Sequence, residues 1–230
     1  VTEMATYLQL ANSLISKCGI SGGSIESVSN QTGEAGRVVS WINEAYTQIQ
    51  LAFPDWYWMR SNVSFSTTAN QGAYTPAQAG ITDLANWKTD SFRCYVTSTG
   101  VRSEMFLERM DYDTFRDTYL FGNLRLSYSR PTVISFAPNY SINLGMAPDS
   151  TDYTIVGEYF KQPTTLVNST DTPDMPSQFH NIIVYKAMMM YGMYEAAQEV
   201  VIEGTNLYNQ MLRRLVRDQL PDAELVGALA

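Results

Sequence analysis

One histidine, His180, stands among the 230 residues, so any Ser-His-Asp or Cys-His device in this chain would have to be built on it. It follows Phe179 near the start of a helical pattern, with no second histidine or acidic partner at metal-ligand spacing and no nucleophile-elbow sequence. A structural or surface role is the simpler reading. Asp111 and Asp113 resemble half of a metal or acid–base pair, yet two carboxylates without a third ligand make a poor cation site, and Asp111 is placed to cap a following helix. The loop containing Gly19, Gly22 and Gly23 lacks the Lys-Ser or Lys-Thr that completes a phosphate cradle. Trp56, Tyr57 and Trp58, followed by Arg60, have the chemistry to stack bases or sugar rings. The same alternation of aromatics also suits a half-buried strand that anchors subunit contacts. No catalytic, cofactor or metal constellation emerges, and the chain reads as a structural protein that works by assembly.

Charge points the same way. Fifteen Lys and Arg against 23 Asp and Glu leave a formal charge of −8, which disfavours tight binding to phosphate backbones. A weakly acidic wall would instead let a polyanion slide past. Cys18 closes a helical pattern and Cys94 lies within a strand pattern; both read as buried thiols outside any redox or metal motif. The longest apolar segment, Phe179 to Tyr194, is interrupted by Lys186 and is too short to span a bilayer, so no membrane partner is expected and the protein reads as cytosolic when made.

These residues must be positioned by three blocks of pattern. Tyr7, Leu8, Ala11, Leu14, Ile15 and Cys18 share a helix face, Thr6 and Gln9 form a capping box, and Gly19 ends the segment. A second stripe runs through Ala35, Val38, Val39, Ile42, Tyr46, Ile49 and Phe53 until Pro54. From Trp56 to about Pro163 the period becomes two, with candidate strands near 56–66, 91–97, 102–108, 132–137, 140–146 and 152–161. The last three predict an antiparallel meander, and Asp111 predicts a short helix carrying Tyr112, Phe115 and Tyr119.

Pro176 then opens a helix that is apolar nearly all round, which must be buried against its own bundle or a neighbouring subunit. A last helix near 200–219 carries a stripe of Val201, Gly204, Tyr208, Met211 and Leu215, with Arg213, Arg214 and Arg217 elsewhere on its circumference. The expected fold is α+β: a helical bundle formed by N- and C-terminal helices, with an inserted antiparallel β-sandwich or barrel-like domain. The divisions are 1–55 and 168–220 for the bundle, 56–167 for the β domain, and 221–230 for an extended docking tail.

Several segments together resemble the head-to-tail adaptor, or connector, proteins of tailed bacteriophages. They are Ala5-Thr6-Tyr7-Leu8, Cys18-Gly19-Ile20, Trp41-Ile42-Asn43-Glu44-Ala45, Ile49-Gln50 and the distinctive Pro54-Asp55-Trp56-Tyr57-Trp58-Met59-Arg60. Gly157-Glu158-Tyr159, Pro173-Asp174-Met175-Pro176, Phe179-His180-Asn181-Ile182-Ile183-Val184 and Arg213-Arg214-Leu215-Val216-Arg217-Asp218-Gln219-Leu220-Pro221 continue it. The stretch from Ser61 to Leu126 carries little of the likeness.

The resemblance implies a virion protein of the neck, between capsid and tail: a dodecameric ring of copies beneath the portal protein, extending the DNA channel toward a downstream tail or nozzle protein. DNA would pass transiently and non-specifically, and no cofactor is implied. A closed ring needs heterologous interfaces, for which the apolar helix and the tyrosines are candidates. Leu225, Val226 and Leu229 are the candidate portal-docking residues, ordering on the portal. Arg213, Arg214 and Arg217 are candidate subunit or portal contacts. Competing readings are a carbohydrate-binding β-sandwich module using Trp56, Trp58 and Trp87, a hydrolase using Asp111 and Asp113, and another phage neck or tail component such as a stopper.

Overall fold

The computed structural model describes residues 5–221, and the segment 222–230, with Leu225, Val226 and Leu229, lies outside them. The described residues divide into a helical unit, formed by those up to 59 and from 163, and a β unit, residues 60–162. The class is α+β, with two four-stranded sheets that do not close into a barrel.

The helical unit contains α1 (Tyr7–Cys18), α2 (Gly33–Leu51), α4 (Asn181–Tyr194) and α5 (Gln198–Gln219). The capping box at α1 forms: Gln9 N–H donates to Thr6 Oγ1 and Thr6 N–H to Gln9 Oε1. Gly19 takes the left-handed conformation, φ +63°, that ends the helix, a geometry that costs glycine least. α4 packs on α5, α2 and α1 within this unit and buries Ile182, Ile183, Val184, Ala187 and Met188, while Met193 and Tyr194 at its end are exposed. Gly204 of α5 sits where a Cβ would stand 3.1 Å from the Tyr185 carbonyl oxygen, so the two helices cross closely.

Polar residues on α2 hold the segment that returns from the β unit. Gln50 Nε2 donates to the Thr164 carbonyl at 2.9 Å while Thr164 N–H donates to Gln50 Oε1 at 2.9 Å. Asn43 repeats the arrangement with Leu166, at 2.7 and 2.8 Å, and Asp174 N–H donates to the Tyr46 hydroxyl between them. Trp56, fully buried, folds back so that its indole N–H donates to the Ile49 carbonyl near the end of α2. The aromatic run therefore opens as helical core and a 3-10 turn, Tyr57–Met59, and the strand predicted from 56 begins only at Arg60.

In the β unit the first sheet has the order β1 (Arg60–Ser66), β8 (Tyr153–Lys161), β3 (Leu84–Val96), β4 (Met105–Phe106). The second has the order β2 (Ala73–Tyr74), β7 (Ile142–Gly145), β6 (Val133–Phe136), β5 (Glu108–Arg109). Arg60 pairs with Phe160 and Ser66 with Thr154, so the ends of the insertion lie side by side, as an inserted domain requires. The expected meander is corrected. β6 and β7 form an antiparallel hairpin, but β8 crosses to the first sheet, where β1 and β3 cover both of its edges.

The strand predicted at 102–108 is likewise a 3-10 turn followed by two short strands in different sheets, and β5 pairs parallel with β6. β3 begins seven residues before the predicted 91 because its polar first half, Asn86 to Asp90, hides the alternation. The inner faces share one core that includes Val63, Phe65, Trp87, Phe92 and Ile155 of the first sheet and Tyr74, Ile134, Ile142 and Leu144 of the second. At Gly157 a Cβ would come within 2.7 Å of the Phe92 ring.

Replacing Gln50 by leucine keeps the volume but removes both hydrogen bonds to Thr164. The orphaned backbone N–H and C=O should cost about 1–3 kcal/mol per group where water cannot reach. Denaturant unfolding of Gln50→Leu should show that loss, whereas an unchanged midpoint would mean that solvent replaces the clamp.

Candidate assembly surfaces

His180 is buried as a structural residue. Its Nδ1 accepts from the Ala5 N–H at 3.1 Å, which leaves Nε2 to carry the proton and donate to the Met175 carbonyl at 3.0 Å. Burial holds its pKa below 6.5, against the backbone hydrogen bonds that favour the charged form. Asp111 caps α3 (Tyr112–Phe115): its carboxylate accepts from the N–H groups of Asp113 and Thr114, and the hydrogen bonding at Thr114 is the main reason that its pKa falls. Asp113 faces Arg116 at 3.0 Å. Both carboxylates are thus engaged in local helix chemistry. Among the described residues no three His, Cys, Asp or Glu side chains gather where they would hold a metal ion.

The aromatic candidates are packed inward. Trp56 is stacked on Trp58, centroids 4.2 Å apart, and Trp87 is buried with its N–H donating to the Tyr140 carbonyl. Neither Trp56 nor Trp87 has a face free for a sugar ring. Cys94 is buried and Cys18 only half-buried, which corrects the expectation for Cys18. Burial first, then Glu203, pushes the Cys18 thiol up to about 11, so it stays protonated and unreactive at neutral pH.

Two surfaces remain. At the C-terminal end of α5, Arg213, Arg214 and Arg217 are exposed, and no ion pair engages them among the described residues. Arg214 and Arg217 edge an open recess of about 520 Å³ with Gln178, Phe179, Met211 and Asp218. The only other Lys and Arg residues of the helical unit are Lys17, Arg37 and Lys186. Half of that unit's cations therefore occupy one helix end, where they also oppose the negative end of the helix dipole.

The second surface was not visible in the sequence. On the outer face of the second sheet Ala73, Asn143 and Ser135 form a row of register partners, and the Tyr119 ring rests over Gly145. The helical segment after Asp111 covers this face, so Asn143 and Gly145, the polar alternates of the strand pattern, are buried too. Asn143 is 6% exposed and Ser135 wholly buried, and the Ser135 hydroxyl finds no hydrogen-bond partner among the described residues. A recess of about 430 Å³ opens onto Asn143 between Phe115, Tyr119, Arg125 and Tyr128. Leu120, Leu124 and Tyr128, which line it, are exposed, as are Phe121 and Leu126 in the same stretch of chain. The faint signal for it was the apolar run from Tyr119 to Tyr128 in a stretch without strand alternation.

An exposed apolar segment beside the buried, unpaired Ser135 hydroxyl, together with a basic helix end, has the chemistry of protein contact surfaces. The chain belongs to the SU10 adaptor protein family, whose sequence pattern matches residues 5–227. It is thus a bacteriophage adaptor protein, as the resemblance implied. No individually curated protein matches the chain. Among the described residues no helix is long and apolar enough to cross a membrane.

The histidine yields a pH test. Its folded-state pKa lies below the ordinary value of 6.5, so the unfolded chain binds the proton more readily. Its contribution to stability is therefore complete above that value and is lost as pH falls below it. As the sole histidine, it should account for most stability lost between about pH 7 and about pH 5, above the main carboxylate range. Unfolding free energies of the wild type should fall over that interval, and those of His180→Gln, which keeps an acceptor and a donor, should fall much less. Equal slopes would refute the assignment.

Proposed function

We propose that the protein is a structural head-to-tail adaptor of the virion neck, which assembles as a ring of twelve copies beneath the portal protein and extends the DNA channel toward the tail. The family match across residues 5–227 carries this reading. The portal and a downstream tail or nozzle protein are its partners, and DNA passes through without sequence-specific contacts.

Charge supports the portal contact. The exposed Arg213, Arg214 and Arg217 form a concentrated basic site on a chain of net charge −8. The Arg214 and Arg217 guanidinium groups at a recess edged by Phe179 and Met211 suit carboxylates and an apolar side chain of a protein partner. DNA moving past would be slowed by such a cluster if it lined the lumen, so these arginines belong on the subunit or portal side, with acidic or neutral surface facing the channel. Leu225, Val226 and Leu229, in the tail that follows α5, add apolar docking residues next to it in sequence.

Two alterations test the reading by electron microscopy of portal rings mixed with the purified chain. Deleting 222–230 should leave a folded protein that no longer joins the portal, and normal joining would refute tail docking. Reversing charge at Arg213, Arg214 and Arg217 should weaken joining by at least tenfold without changing the melting temperature, since all three are exposed. Intact ring assembly with altered retention of packaged genome would instead place these arginines on DNA.

A further inference from the structure

The outward stripe of α5 carries a charge order that a helix alone in water would avoid. α5 fully buries only Gly204 and Leu215 and packs on α4. Its other side presents Glu199, Glu203, Asn206, Gln210, Arg213 and Arg217, spaced by three or four residues and all exposed. The two acids stand at i and i+4 to one another, and so do the two arginines. Like charges at that spacing destabilise a helix, whereas opposite charges would support it. The helix dipole favours Glu199 in the first turn and Arg217 in the last, but its influence falls off within one turn and does not account for Glu203 or Arg213.

The helical unit leaves these groups without opposite charges of its own. Its three other cations each lie over a tyrosine ring: Lys17 over Tyr185, Arg37 over Tyr194 and Lys186 over Tyr208. Among the described residues no ion pair engages Glu199, Glu203, Arg213 or Arg217.

We propose that α5 pairs antiparallel with α5 of a second copy. Glu199 and Arg217 are eighteen residues apart, about five helical turns, so they face the same way. Glu199 with Arg217, Glu203 with Arg213, and Asn206 with Gln210 are all centred on Tyr208. Turning one helix against its copy about that centre therefore sets every acid opposite an arginine and every Asn206 amide opposite a Gln210 amide. Parallel pairing in register would set like charges against each other. The antiparallel contact is self-complementary and closes as a dimer. A stripe about 27 Å long and about 10 Å wide is far smaller than the roughly 800 Å² per partner of a stable interface, so the dimer is transient and held by charge. It occupies Arg213 and Arg217, and copies would part before those arginines met a portal. The pairing itself does not depend on the portal reading.

Sedimentation velocity on the full-length chain at its highest soluble concentration tests this in about 0.1 M and about 1 M salt, where charges act across roughly 10 Å and about 3 Å. The wild type should associate in the lower salt and come apart in the higher. Glu199→Lys with Glu203→Lys, and Arg213→Glu with Arg217→Glu, should each associate at least tenfold more weakly than the wild type while keeping its circular dichroism. An equimolar mixture of the two sets an all-basic stripe against an all-acidic one, and should associate at least tenfold more tightly than either variant alone. Wild-type association retained by both variants, or a mixture no tighter than its components, overturns the proposal.

For pairing too brief to sediment, Asn206→Cys and Gln210→Cys are each made in a Cys18→Ser chain and mixed under mild oxidation. The antiparallel register predicts that disulfides joining 206 to 210 exceed the half share that random encounter gives. A half share or less, or no cross-link at all, overturns it.

Discussion

The pair of amides on α2 that grips the returning chain is the interaction on which the architecture rests. Asn43 and Gln50 are seven residues apart, two helical turns, so they project from one face. Each offers a backbone the same acceptor and donor that a neighbouring strand would offer, and each takes both bonds from a single residue, Leu166 and Thr164. Tyr46, between them on that face, binds the segment a third time through Asp174. A chain that leaves a helical unit for 103 residues (60–162) must be recaptured on return, and loop closure over that length costs only a few kcal/mol. Antiparallel pairing of β1 with β8 has already brought the ends together, so little of the closure cost falls on the clamp. The inserted unit can then have its own core while the helical unit has another, each closed by its own contacts.

That clamp explains which parts of the sequence were readable. The helices followed from periodicity and caps because an amphipathic helix reveals its buried face within a few turns, and the Thr6–Gln9 box and the Asp111 cap are local chemistry. Asn43 and Gln50 stood in the segments that carried the family likeness, but a polar residue on a helix looks the same whether it meets water or a strand. The β unit was less legible because strand partners are chosen at a distance. Nothing within 152–161 says that β8 will leave its hairpin neighbours for β1 and β3, and the alternation through Ile142, Asn143 and Leu144 implied a solvated face that the segment after Asp111 in fact covers.

The functional surfaces divide in the same way. Three arginines in five positions at a helix end are visible as composition, and the structure places all three at the surface. The recess at Asn143 is assembled from β2, β7, the helical turn around Tyr119 and the loop through Tyr128, residues up to 77 positions apart, and no local pattern encodes it. Trp56, Trp58 and Trp87 misled in the opposite sense. Tryptophans in a strand-rich stretch suit a sugar platform as well as a core, and only burial decides between them; for Trp56 and Trp87 it decides for the core.

A protein that works by contact must keep apolar surface exposed until its partner arrives, and it must do so without aggregating. This chain combines two restraints. Its charge of −8 keeps free copies apart by long-range repulsion, which falls off beyond about 8 Å at physiological ionic strength and so leaves short-range contact undisturbed. The exposed apolar segments themselves are short and separate in the sequence: Leu120 to Tyr128 in one stretch and Met105–Phe106 at a sheet edge. A stable interface buries roughly 800 Å² per partner, which takes about 20–30 residues a side rather than a few side chains. Such contacts are weak one at a time and strong when a closed arrangement engages many together, because each later contact forms at the high effective concentration set by those already made. Distributing small apolar patches over separate surfaces therefore favours the assembled form over any pair of free copies.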